Sequence, residues 1–292
     1  MYAKGLRKES LRVIDSLSLD VRAGEIVTVV GSSGSGKSLL AHAILGILPA
    51  NAEAEGSILY KGEELTPARL RRRRGTEIAL IPQSVDSLDP LMRVGKQAAG
   101  ARGGKEGRNA ARAAFARCGL DARVERLFPF QLSGGMARRV LISTAAVASP
   151  ALIVADEPTP GLGAARAMET LRHFRELADG GAAVLLITHD IDLALPIADR
   201  IAVLYAGTTV EIAPAEDFRK GRDALRHPYS KAFLDALPQN AFRPIAGAQP
   251  YAGHPPPGCP FAERCPARTE ACERAVAMRA LRGGEVRCIH AT

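Results

Sequence analysis

Residues 31–38 read GSSGSGKS, and this octapeptide restricts the fold of the chain more than any other stretch. It matches the pattern G-x-x-x-x-G-K-[ST] of a phosphate-binding segment, and we call it the phosphate loop. A β-rich apolar run (25–30) precedes it, and a stretch with helical apolar spacing (37–48) follows it. Since this pattern joins a strand to a helix, the sequence predicts an α/β fold.

The phosphate loop carries a specific chemical expectation. Its glycines let backbone N–H groups converge on a phosphate, and the following helix adds the positive end of its dipole. Lys37 is expected to bridge the β- and γ-phosphates, and Ser38 to bind Mg²⁺. The strand and helix on either side disfavour the alternative of a Gly/Ser turn with a chance lysine. The residues predicted to surround the nucleotide are Gly31, Ser32, Ser33, Gly34, Ser35, Gly36, Lys37 and Ser38.

The rest of the chain alternates between β-rich and helical segments, which predicts a mostly parallel sheet covered on both faces. Residues 84–150 lack strand signals and are predicted to form a mainly helical insertion. After about Pro238 the sequence becomes rich in Pro, Gly and Cys, so we divide the chain into 1–237 and a C-terminal extension, 238–292. Further strands are expected at 57–60, 77–81, 151–155, 182–187 and 201–204.

Charge and hydropathy limit the classes of protein that this chain can represent. Its formal net charge is +8, which fits a solvated arginine-rich surface and leaves nucleic acid or an anionic membrane face as alternatives. No apolar run reaches the roughly 18–20 residues that span a bilayer, and no secretory signal is recognisable. We therefore expect a cytosolic chain that docks to any membrane from the side.

A second site lies at the end of a predicted buried strand, where residues 152–158 read LIVADEP. Two adjacent carboxylates at a strand end can have different roles. Asp156 is expected to hold Mg²⁺, and Glu157 to orient and polarise the attacking water. A solvated acidic turn is the alternative, which the phosphate loop in the same chain disfavours.

Residues 132–136 read LSGGM, downstream of the phosphate loop and one helix length before the acidic pair; we call them the signature segment. This order resembles the ATP-binding subunits of ABC transporters, most strongly the oligopeptide/dipeptide/nickel importers. Four further stretches carry the resemblance: IPQSVDSLDPLMRVG at 81–95, ITHD at 187–190, IADRIAVLYAG at 197–207 and HPYSKA at 227–232.

The resemblance implies an ATPase cassette with a mostly parallel sheet core, an antiparallel β part and a helical subdomain at about 84–150. It implies that Gln83 reaches Mg²⁺ or the attacking water and that His189 contacts the γ-phosphate. The signature residues Ser133, Gly134 and Gly135 would bind an ATP held by a second, paralogous ATPase subunit. Two membrane permeases and, indirectly, a solute-binding protein are the other implied partners, and no nucleic acid is expected.

The chain departs from the family pattern at two places. Gly163 stands where the loop after the acidic pair normally ends in Asp, which puts equal activity of two ATP sites in doubt. The N-terminus is short, and Tyr2 is the candidate for the aromatic residue that stacks on adenine.

Four of the five cysteines, namely Cys259, Cys265, Cys272 and Cys288, lie in the extension. A cytosolic setting argues against disulfides, and the spacing is not that of common zinc ribbons. The surrounding text resembles the extension of peptide importer ATPases, which implies a possible 4Fe–4S cluster, with zinc and unligated thiols as alternatives. The remaining cysteine, Cys118, is expected to be a small core residue.

The sequence thus predicts an ATP-hydrolysing subunit at the cytoplasmic face of a bacterial inner membrane, powering import of peptides, nickel or a related small solute. Two alternatives stay open: a soluble ABC ATPase that acts on nucleic acid, and an ATP-binding regulatory subunit with weak turnover. Gly163 is the only support for the second alternative.

Overall fold

The computed structural model describes residues 11–100 and 103–292, so the candidate Tyr2 lies outside the described residues. The strands are β1 (Ile26–Gly31), β2 (Leu59–Tyr60), β3 (Glu63–Glu64), β4 (Ile78–Ile81), β5 (Leu152–Asp156), β6 (Ala183–Ile187), β7 (Arg200–Tyr205), β8 (Thr208–Pro214), β9 (Arg279–Leu281) and β10 (Gly284–Val286). The α-helices are α1 (Lys37–Leu45), α2 (Pro67–Arg73), α3 (Val94–Ala99), α4 (Gly104–Arg117), α5 (Gly134–Ala146), α6 (Ala164–Asp179), α7 (Ile191–Ala194), α8 (Ala215–Lys220) and α9 (Pro228–Asp235).

An eight-stranded sheet forms the centre of the molecule, in the order β4-β5-β6-β1-β7-β8-β10-β9. The first five strands in this order are parallel, and the last three run antiparallel to their neighbours. The predicted α/β fold with a parallel core and an antiparallel part is confirmed. Among the described residues, no helix is both long enough and apolar enough to cross a lipid bilayer.

Both faces of the parallel sheet are covered, as the continuous apolar strands predict. Ile26 and its neighbour Val27 on β1 point to opposite faces and belong to different hydrophobic clusters. One cluster includes residues of α5 and α6, and the other includes residues of α1. Neighbouring positions on the central strand are thus buried against different helices.

The parallel strands bring four loops to one edge of the sheet. β1, β4, β5 and β6 all end at the same side, because adjacent parallel strands share their carboxyl edge. The phosphate loop follows β1, Gln83 follows β4, the acidic pair ends β5, and His189 follows β6. Residues far apart in sequence therefore gather at one crevice.

The segment 84–150 is mainly helical, as expected, with α3, α4 and α5 packed around a shared core that includes Cys118. The C-terminal extension, in contrast, has more regular structure than its sequence indicates. Its hairpin β9–β10 continues the central sheet through pairing of β10 with β8. Cys259 and Phe261 share a hydrophobic cluster with residues of β7 and β8.

Candidate functional site

The phosphate loop leaves β1 through a glycine that no other residue can replace without strain. Gly31 has φ 154°, and a Cβ there would lie 2.2 Å from the carbonyl oxygen of Leu204 on β7. Gly36, with φ 92°, directly precedes α1 and gives the helix no side-chain cap. The first N–H groups of α1 are therefore available to an anion at the positive end of the helix.

Lys37 is buried in this loop, 8% exposed, and its Nζ donates to the carbonyl oxygens of Gly31 at 2.8 Å and Ser32 at 3.0 Å. Burial lowers the pKa of Lys37, while the carboxylates of Glu157 and Asp156 act in the opposite direction. One ammonium group thus faces two carboxylates, and this excess of negative charge favours a divalent cation.

Asp156 and Ser38 provide oxygen ligands suited to Mg²⁺. A hydrogen bond connects their side chains, yet Oδ1 of Asp156 is buried without a hydrogen-bond partner. Burial raises the pKa of Asp156, and the nearby Glu157 raises it further against the hydrogen bond from Ser38. An unpartnered buried carboxylate oxygen beside a hydroxyl fits a hard cation, which prefers oxygen donors.

Glu157 adopts an unusual backbone conformation for a residue with a side chain. Its φ is +48°, in the left-handed region that costs roughly 1–3 kcal/mol for a non-glycine residue. Its N–H donates to the carbonyl oxygen of Ile187 at 2.9 Å, and its Oε1 lies 2.9 Å from Nδ1 of His189. The strained turn therefore places the carboxylate beside the imidazole that follows the adjacent strand β6.

Gln83 lies exposed on the loop after β4, and the arginine Arg138 on α5 fixes the backbone of that loop. The guanidinium of Arg138 donates to the carbonyl oxygens of Pro82 at 2.9 Å and Gln83 at 2.5 Å. Burial lowers the pKa of Arg138, which is 6% exposed, and the charge of Glu157 opposes this effect. Arg138 thus connects helix α5, which begins at the signature segment, to the loop that carries Gln83. Its guanidinium also interacts electrostatically with the carboxylate of Glu157.

We expect Arg138→Gln to lower kcat for ATP hydrolysis by about 10- to 100-fold with a small change in KM, because the loop that presents Gln83 would lose two anchors. Steady-state ATPase assays measure both constants. Arg112→Gln is the matched control: it removes a guanidinium that pairs with Glu125 away from this loop. An Arg138→Gln variant with wild-type kcat would contradict the expected effect.

The signature segment forms the start of α5. Ser133 caps the helix, its Oγ accepting from the backbone N of Met136 at 3.3 Å, and Ser133 and Gly134 are exposed. Gly135 faces Leu162 of the loop after the acidic pair, 3.4 Å from where its Cβ would be. Gly163 precedes α6 as its N-cap residue and provides no side-chain cap. The signature residues thus present an open helix N-terminus to the outside.

The C-terminal part of the chain reaches the phosphate loop directly. Oγ of Ser32 donates to Oε1 of Gln249 in the extension, 217 residues away in sequence. Tyr229 on α9 also hydrogen-bonds to Ser32, and it packs against Tyr205 and Phe261. The sequence contains no signal for these contacts. Sequence reasoning also missed Arg138, since its charge alone does not distinguish it from the neighbouring Arg139.

The four extension cysteines line a single cavity together with His227 and His290. Burial raises the pKa of Cys259 to about 11, and the other three thiolates add to the increase. His227, fully buried, has a pKa lowered to about 3 by desolvation. In the described part of the chain, no three His, Cys, Asp or Glu side chains are grouped closely enough to hold a single metal ion.

A phosphate loop, an acidic strand end and the outward-facing N-terminus of α5 together define a P-loop ATPase of the cassette type. The family described as ABC transporter matches residues 14–160, and the oligopeptide/dipeptide transporter C-terminal region matches residues 210–272. The chain belongs to the ABC transporter family, and it is an ATP-binding and ATP-hydrolysing cassette of that family.

Curated relatives resemble the chain over nearly its whole length. The dipeptide transport ATP-binding protein DppD of Bacillus subtilis is 35% identical over 285 residues, covering 91% of this chain and 84% of the relative. The oligopeptide transport ATP-binding protein OppD of Haemophilus influenzae is 34% identical, covering 94% and 90%.

A solved structure shares the cassette. The ATP-binding cassette MJ0796, in a dimeric post-hydrolysis state bound to ADP and Pi, has a TM-score of 0.65 and 27% identity. The match covers 73% of this chain and 94% of the MJ0796 chain.

Proposed function

We propose that this chain is the ATP-hydrolysing subunit of a bacterial importer for peptides, or for nickel or a related small solute. The observation that carries the proposal is the presence in one chain of the cassette site and of the C-terminal region shared with oligopeptide and dipeptide transporters. That C-terminal region gives no reason to prefer an ATPase that acts on nucleic acid.

The proposed roles of the individual residues in ATP binding and hydrolysis follow from their positions in the crevice. The phosphate loop and the N-terminus of α1 hold the triphosphate, with Lys37 between the β- and γ-phosphates. Ser38, Asp156 and Gln83 would hold Mg²⁺, which neutralises charge on the phosphates. Glu157 orients and polarises the attacking water, and His189, 2.9 Å from its carboxylate, positions that water near the γ-phosphate.

The open signature segment supports a second cassette as a partner. Ser133, Gly134 and Gly135 present the N-terminus of α5 outward, where an anion held by another subunit can bind. The solved cassette MJ0796 is itself dimeric. We propose that this chain pairs with a paralogous ATPase, and that each closes over the ATP of the other.

An exposed apolar patch supports docking to permease subunits. Leu91 and Phe130 are 87% and 75% exposed, and Phe128 stacks on Phe130 while Arg93 lies over the ring of Phe128. Exposed apolar patches are typical of protein contacts. We propose that this patch contacts a membrane permease, one of two in the transporter, and that the chain therefore lies peripherally at the cytoplasmic face of the inner membrane, with a solute-binding protein on the far side.

Uptake assays in a strain lacking the gene test this function. Loss of labelled dipeptide or oligopeptide uptake, restored by the wild-type gene but not by a Glu157→Gln gene, is the expected result. Unchanged peptide uptake with loss of labelled nickel uptake would assign the nickel alternative. Unchanged uptake of both solute classes would contradict the proposal.

We further propose that Cys259, Cys265, Cys272 and Cys288 hold a 4Fe–4S cluster rather than zinc. The four thiols line one cavity, and their mutual repulsion as thiolates would be relieved by a bound cationic group. Among the described residues no group of three or more His, Cys, Asp or Glu side chains is arranged to hold a metal ion, so the proposal rests on the shared cavity and on the sequence around the four cysteines. Its proposed role is to stabilise the fold of the extension.

We expect protein purified without oxygen to contain iron and acid-labile sulfide in about equal amounts, near four of each per chain, since four thiolates hold a cluster of that composition. Elemental analysis and sulfide assays measure this. Cys272→Ser should lower the iron content strongly, whereas Cys118→Ser, in the helical part, should not. Zinc in place of iron would favour the alternative, and the absence of both metals would exclude a metal site.

A further inference from the structure

We propose that the turn Gln249–His254 of the C-terminal extension forms one wall of the ATP site, and that Tyr251 stacks on the adenine ring. The inference rests on the ATP site proposed above. It adds a residue that recognises the adenine base and that lies in the C-terminal extension.

The turn is attached to the phosphate loop from two directions. Gln249 accepts a hydrogen bond from Ser32 near the start of the loop. Ala252 accepts one from the backbone N of Arg12 at 3.1 Å. The segment after Arg12 lies against the other end of the loop, since a Cβ on Gly36 would be 2.9 Å from Cγ1 of Ile14. Residues 12–14 and 249–252 thus border the loop together.

Within this turn the ring of Tyr251 is held in place while much of it stays open. The backbone N of His254 donates to the carbonyl oxygen of Tyr251 at 2.9 Å, and the two rings lie 6.0 Å apart at 61°. The ring covers Gly253, where a Cβ would be 2.4 Å from its Cε1. Nevertheless Tyr251 is 58% exposed. A fixed ring with an open surface is a suitable platform for a base.

The other tyrosines beside the loop cannot take this role. Tyr229 hydrogen-bonds to Ser32 but is 2% exposed, and Tyr205 behind it is 0% exposed. Their ring faces pack against each other and against Phe261. Of these three tyrosines, Tyr251 is therefore the one whose ring has an open surface for a base.

The test separates recognition of the base from recognition of the phosphates. Titrations compare ATP with inorganic tripolyphosphate, which carries the phosphates without a base. We expect Tyr251→Ala to weaken ATP binding about tenfold and to leave tripolyphosphate binding within twofold of wild type. Tyr251→Phe should retain ATP affinity. Phe242→Ala, which removes another exposed ring of the extension, should bind both ligands normally.

The absence of tryptophan from the chain provides a second readout. Tyr251→Trp introduces a single indole whose fluorescence should change with ATP and stay constant with tripolyphosphate. Wild-type ATP affinity in Tyr251→Ala, equal losses for both ligands, or a tenfold loss found in Tyr2→Ala instead would each overturn the proposal. Lys37→Ala should weaken both ligands; failure of wild-type protein to bind either ligand would contradict the ATP site itself.

Discussion

Replacing Glu157 by glutamine is expected to lower ATP turnover by about 10²- to 10⁴-fold, the range for loss of a general base. The amide keeps the size of the side chain and can still contact His189, but it cannot accept a proton from water. Glutamine has a side chain of the same size and branching as glutamate, so it should adopt the same positive φ, and the fold of the turn should persist. ATP binding should therefore be retained, and trapped ATP should accumulate between paired subunits.

Single-turnover hydrolysis and equilibrium ATP binding measure the two quantities separately. Glu106→Gln, which changes an exposed carboxylate on α4, is the control and should hydrolyse ATP at the wild-type rate. If Glu157→Gln hydrolysed ATP at the wild-type rate, the proposal that Glu157 polarises the attacking water would be wrong. Loss of ATP binding together with hydrolysis would instead indicate damage to the phosphate loop.

Replacing Arg226 by methionine is expected to destabilise the protein by about 3–5 kcal/mol, because it leaves a buried carboxylate without its cation. The side chains of Arg226 and Glu211 are 1% and 0% exposed, and Nη1 lies 3.2 Å from Oε1. Nη2 also contacts Asp217 at 2.8 Å, and Nε donates to the carbonyl oxygen of Leu281 at 2.6 Å. The same side chain therefore connects β8 to the hairpin β9–β10.

Urea unfolding measures this effect. Arg268→Ala is the matched control: its pair with Glu273 is about half exposed on both sides, and its loss should cost under about 1 kcal/mol. Adding Glu211→Gln to Arg226→Met should recover part of the stability, since the unpaired charge is removed. A stability of Arg226→Met within 1 kcal/mol of wild type would contradict the argument.

The sequence was sufficient to predict the parts of the site that depend on local patterns. The phosphate loop, the acidic pair and the position of His189 after a strand each need only a few neighbouring residues. Because adjacent parallel strands share a carboxyl edge, these three features are then predicted to lie close together at that edge. The family match supports the cassette fold, while the individual roles of Gln83, Glu157 and His189 stay predictions.

The features that sequence reasoning missed depend on distant pairing. Strand β8 contains Thr209 and Glu211, both fully buried, and such polar residues conceal the apolar pattern of a strand. Glu211 can be buried only because Arg226 and the backbone N–H of His227 satisfy it. Likewise, the contact of Ser32 with Gln249 joins segments whose proximity no local pattern records.

The pairing of β10 with β8 also determines how long one edge of the sheet stays unpaired while the chain is synthesised. About 70 residues separate Pro214 at the end of β8 from Val286 at the end of β10, which corresponds to about 4 to 14 s of translation. Throughout that interval the crevice loops have been made, but β8 remains an edge strand with unpaired backbone groups. Formation of the hairpin β9–β10 therefore ends a period in which the nascent cassette is exposed to aberrant strand association.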